Sequence, residues 1–65
     1  MTSNFNHSET LELITTAKAV IHMGNQEFHT GWSFAQITYA TNPNEFTWAM
    51  LTVFNTEALR RGLIK

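Results

Sequence analysis

Residues 34–54, FAQITYATNPNEFTWAMLTVF, decide how this chain folds. In their middle stands the strongest turn signal of the sequence, Asn42-Pro43-Asn44-Glu45, with apolar, aromatic and threonine-rich runs on both sides. A β-hairpin turning at Pro43-Asn44 would place Tyr39 opposite Trp48, Ile37 opposite Met50 and Thr41 opposite Phe46. One face then collects Ile37, Tyr39, Phe46, Trp48 and Met50, and the other carries Thr38, Ala40, Thr47 and Ala49. Enrichment in Thr, Ile, Tyr, Trp, Val and Phe, with almost no Glu or Lys, points the same way.

The same residues also carry helical signals. Ser33 can cap a helix with Gln36 reaching back and Trp32 stapled on Ile37, and Asn42-Pro43-Asn44-Glu45 reads as a second capping box with proline at the first helical position. The second helix would run to Arg61 with apolar side chains nearly all round its first three turns, more than 65 residues can readily cover without a partner. On that ground the hairpin is preferred.

Outside this stretch the reading is helical. Ser8 caps a helix over Ser8 to Met23, with Glu9 and Glu12 in or near its first turn and Leu13, Ile14, Ala17, Val20 and Ile21 along one face. Gly24-Asn25 closes it. Phe28 to Thr30 offers a third strand, and Asn55 caps a short last helix that ends at Gly62. The expected fold is thus α+β: an N-terminal helix, a two- or three-stranded antiparallel sheet and a C-terminal helix, with an all-α three-helix domain as the alternative. Residues 1–65 are expected to form one small domain, frayed over residues 1–6.

Charge is scarce. Charged residues make up 14% of the chain, the net charge is −1, and between Phe28 and Thr56 the only formally charged side chain is Glu45. Ten threonines and six asparagines supply the polarity instead. A domain this small sits near the size at which one subunit's core becomes marginal, so a partner or a second copy is expected to help hold it. With no cysteine there is no disulfide staple and no thiolate ligand or nucleophile, which suits the cytosol. The first residues lack the features of a signal peptide, and no apolar run is long enough to span a bilayer.

Chemistry finds little to work with. His7, His22 and His29 are spaced unlike any metal signature, the five glutamates are scattered, and no Gly-x-Ser-x-Gly or phosphate loop is present. No catalytic residue, cofactor or metal is assigned, and an enzyme is not expected.

Residues 37–54 resemble a helix-turn-helix, and Leu59-Arg60-Arg61-Gly62-Leu63-Ile64-Lys65 resembles the end of a winged-helix domain before its wing. The likeness implies a small dimeric transcriptional regulator reading DNA through Arg60, Arg61 and Lys65. It departs at Asn42, where the turn glycine usually stands, and at Pro43, which replaces an apolar residue. The would-be recognition helix opens with Glu45 and has no cation before Arg60. Four basic residues offer few phosphate contacts, so nucleic acid is the less favoured partner.

The preferred function is a non-catalytic protein-binding module, docking a charge-poor aromatic surface onto another protein or onto itself as a homodimer. Trp32, Phe34 and Leu51 are expected to make contact, Arg60 and Arg61 to complement charge at the rim, and Tyr39 and Trp48 to anchor the fold. By analogy of size and composition alone, such proteins are often cytoplasmic regulators or inhibitors, including those of phages and plasmids. A structural subunit of a larger assembly is the third reading.

Overall fold

The computed structural model describes residues 5–64 and contains three helices: α1 (His7–Val20), α2 (Asn25–Thr41) and α3 (Glu45–Arg60). No strand is present among the described residues, so the hairpin and the α+β class are overturned and the all-α alternative holds. Residues 28–30, expected as a third strand, lie in α2.

Local capping explains why helix won. At the turn, Asn42 ends α2 with φ −140° and ψ 72°, outside the helical region that a following proline disfavours. Asn44 then caps α3: its Oδ1 accepts the Thr47 backbone N–H at 2.9 Å, and the Thr47 hydroxyl oxygen accepts the Asn44 N–H at 3.0 Å. The Thr47 hydroxyl in turn donates to the Asn42 carbonyl at 2.9 Å, so the buried threonine has its polar atoms satisfied. The cap is thus Asn44 with Thr47, two residues later than the Asn42 box read from sequence. Ser33 and Asn55, read as caps, both lie inside helices.

The N-terminal helix starts one residue before Ser8. Asn6 and Glu9 form a reciprocal capping box, with Asn6 Oδ1 accepting the Glu9 N–H at 2.8 Å and Glu9 Oε1 accepting the Asn6 N–H at 3.2 Å. Phe5 meets Phe46 edge-on at 6.3 Å between ring centroids. Of the span expected to fray, residues 5 and 6 therefore belong to the fold, and residues 1–4 lie outside the described residues. The helix stops at Val20 rather than Met23, and Gly24 opens α2 instead of closing α1. At the other end Gly62, at φ +78°, closes α3 as expected: Leu63 N–H donates to the Ala58 carbonyl and Gly62 N–H to that of Leu59, the Schellman pattern.

Helix α3 is the centre. Both α1 and α2 pack on it and hardly touch each other. A helix apolar nearly all round is therefore partly covered by two others from the same chain, which answers much of the objection that favoured the hairpin, although Trp48 and Leu59 stay more than half exposed. The core is Val20, Phe28, Ala35, Leu51, Phe54 and Ala58, with Phe28 the one large side chain fully enclosed.

One side chain joins all three helices. The Arg61 guanidinium donates through Nη2 to the carbonyls of Met23 (2.7 Å) and Val20 (3.1 Å), through Nη1 to Asn25 Oδ1 (3.3 Å) and through Nε to Glu57 Oε2 (2.7 Å). It also lies over the Phe28 ring, 4.5 Å from the centroid. Glu57 is buried and takes a second, bidentate pair of bonds from Arg60 at 2.8 and 2.6 Å. Hydrogen bonds from Arg60 and then Arg61 lower the Glu57 carboxyl from 4.5 to about 2.

The packing of α2 on α3 depends on Gly31. A Cβ there would stand 2.8 and 2.9 Å from two atoms of the Phe54 ring, closer than carbon atoms tolerate.

These contacts generate three predictions. Replacing Arg61 by Ala takes from Glu57 one of its two cations and from the Val20 and Met23 carbonyls their side-chain donor, and should lower the thermal unfolding midpoint by on the order of 10 °C; R60A, half in solvent, should cost about 3 °C. Because the Glu57 pKa is depressed in the folded state, its stabilisation is present above about 4.5 and is lost as pH falls toward about 2. Acid titration of the midpoint checks this, and E57Q should flatten that part of the profile. Substituting Gly31→Ala should destabilise by about 1–2 kcal/mol in urea despite alanine's better helix propensity. In the G31A background F54L should cost less than it does alone, because it withdraws the clashing ring.

Candidate functional site

Because α1 and α2 each lean on α3 and not on one another, an open groove of 420 Å³ runs between them. Its α2 wall is Gly31, Phe34, Ala35 and Thr38, its α1 wall is Glu12 and Thr16, and Phe46, Met50 and Phe54 form the floor. The surface is mostly carbon, with Glu12 the sole formally charged lining residue. Phe34 stands on the rim at 69% exposure, the highest of any large apolar side chain among the described residues. Ile37, one turn further along the outer face of α2, is 63% exposed.

Periodicity explains the position of Phe34. The buried stripe of α2 runs through Phe28, Ala35 and the half-buried Gly31, Trp32, Thr38 and Tyr39. Phe34 lies one residue off that stripe on the side facing α1, so it borders the groove without being enclosed.

The five side chains expected to meet a partner separate cleanly. Phe34 and Arg60 have exposed side chains. Leu51 belongs to the core, and Trp32 is half-buried with its indole N–H donating to Asn55 Oδ1 at 2.9 Å. Arg61 is turned inward, its side chain 13% exposed. Of the two intended anchors, Tyr39 is half-buried and Trp48 is 53% exposed, and their rings meet at 5.6 Å between centroids across the α2–α3 contact. Lys65 lies outside the described residues.

Sequence reasoning missed the groove itself. Phe46, Met50 and Phe54 recur at i, i+4 and i+8, a signal for one helix face, whereas the hairpin reading sets Phe46 and Met50 in a strand alternation with Trp48.

The groove presents carbon surface, threonine hydroxyls and the one carboxylate of Glu12. Among the described residues no three His, Cys, Asp or Glu side chains converge on a point. Nor does α3 offer free cations to phosphate: its basic residue Arg60 is bidentate on Glu57. No helix among the described residues is long and apolar enough to cross a membrane. The chain matches no protein family, no curated protein and no solved structure.

Proposed function

We propose that this protein is a non-catalytic binding module of the cytosol that docks its groove face onto a protein surface, a host protein's or that of a second copy, and so acts as a small regulator or inhibitor. The observation that carries the reading is the groove: a charge-poor, carbon-lined recess with an exposed phenylalanine on its lip. Large exposed apolar surface is what protein interfaces use, and aromatic groups set beside a recess supply most of their energy. The molecule is rich in such surface. Six apolar residues are buried among those described, three of them only Val or Ala, while nine large apolar side chains stay more than a third exposed.

The DNA-reading alternative draws no support from the arrangement of cations. Arg61, one of its three intended phosphate contacts, is spent on Glu57 and on carbonyls of the chain itself.

A charge placed in the groove tests the proposal. Thr38→Lys introduces an ammonium on the α2 wall at a half-buried position and should leave the helical circular dichroism spectrum intact. Protein retained from lysate by the wild type should be lost from T38K and should survive washing at high salt, since an apolar contact is little screened. Equal retention by wild type and T38K would overturn the groove as the docking surface.

A further inference from the structure

We propose that the groove's occupant is a second copy of this chain, paired about a two-fold axis so that Phe34 of each copy enters the groove of the other. The inference rests on the docking reading above and names its partner.

Knob and recess stand side by side. In a two-fold interface the same patch serves both molecules, so the patch must hold both the group that protrudes and the hole that receives it. A recess alone would call for a foreign knob. Here the most exposed large apolar side chain, Phe34, lines the recess it would fill in the neighbour, with Ile37 behind it on the same outer face.

Charge is compatible with self-pairing. A patch built for a basic or acidic partner carries the opposite sign, whereas this one contains Glu12 alone. Across the axis the two Glu12 side chains are exposed, and water and salt screen their repulsion.

Area is sufficient, at the low end. The walls are helices of 14 and 17 residues, roughly 21–25 Å long and about 10 Å across each, which gives a face of about 450 Å² before its relief is counted. Two such faces bury on the order of 1,000 Å², the lower bound for a specific interface. The dimer is therefore expected to be weak and reversible, and to stabilise the small core by mass action.

Sedimentation velocity on the wild type, F34E, T38K and an equimolar mixture of the two variants tests this, with circular dichroism confirming that each is helical. If T38K loses its helical spectrum, T16K from the opposite wall replaces it. The wild type should dimerise with a midpoint near about 0.1 mM in a series carried to about 1 mM, and each variant should weaken dimerisation on the order of 100-fold. The mixture should recover about 10-fold of that loss, because Phe34 of the T38K chain still fits the open groove of the F34E chain. That recovery is specific to knob-in-groove pairing.

A wild type that stays monomeric throughout, variants that dimerise as well as the wild type, or a mixture no better than its components would each overturn the second copy as occupant. The parent reading fails separately. If the wild type is monomeric yet T38K loses a retained protein, the groove docks a foreign partner; if T38K loses nothing either, both readings fall.

Discussion

The fold depends on Arg61. An arginine at the end of α3 reaches back to the carbonyls that close α1, to the first residue of α2 and to a carboxylate one turn earlier on its own helix, while its planar face covers the one large side chain fully inside the core. A helix end leaves carbonyls short of partners, and α1 has no glycine cap. The His22 and Met23 N–H groups bond Ala19 and Val20, and the guanidinium adds a second donor at Val20 and one at Met23 in the turn that follows. Its several donors in a fixed plane allow one residue to serve three helices at once, which an ammonium on a flexible stem does poorly. Glu57 keeps that charge from being buried alone, and Arg60 shares the carboxylate from the solvent side.

Around that junction the chain solves a problem of coverage. A helix with apolar groups on most of its circumference needs more than one neighbour, and α1 and α2 each pack on it. Three short helices cannot also close over one another. The groove is what remains: α3's floor is roofed on neither side, and Gly31 lets α2 approach until its backbone rests on the Phe54 ring. The recess and the exposed Phe34 are thus by-products of geometry as much as candidates for recognition.

Part of this was legible in the sequence. The chain reversal at Asn42-Pro43-Asn44 was plain, and a reversal there brings Tyr39 to Trp48 whether its arms are strands or helices, which is why that pair was anticipated from the wrong fold. The acidic first turn of α1 and the glycine end of α3 were also local signals, each set by backbone groups within a few residues. What misled was threonine. Its β-branch favours strands, but Thr47 serves as half of a helix cap and Thr52 bonds the Trp48 carbonyl within α3, uses that depend on backbone conformation and not on composition. Arg61 was assigned to the rim because its partners lie as far as 41 residues away, and no local pattern announces a contact of that span. Phe34 was expected at the surface and is there, yet the recess beside it arises only when three helices take their places.

The unequal anchoring of the helices bears on motion. Within α1 only Val20 is buried, at the end gripped by Arg61, whereas α2 and α3 share Phe28, Ala35, Leu51, Phe54 and Ala58. Elements with few buried contacts open at lower free energy than the rest of a protein. Neither end of α1 is loose, however: the Asn6–Glu9 box and the Phe5–Phe46 ring contact hold its first turn, and Arg61 holds its last. The groove thus has one jaw joined to its floor through a shared core and one pinned chiefly at its two ends, so the α1 wall is the side with the lower free energy of opening.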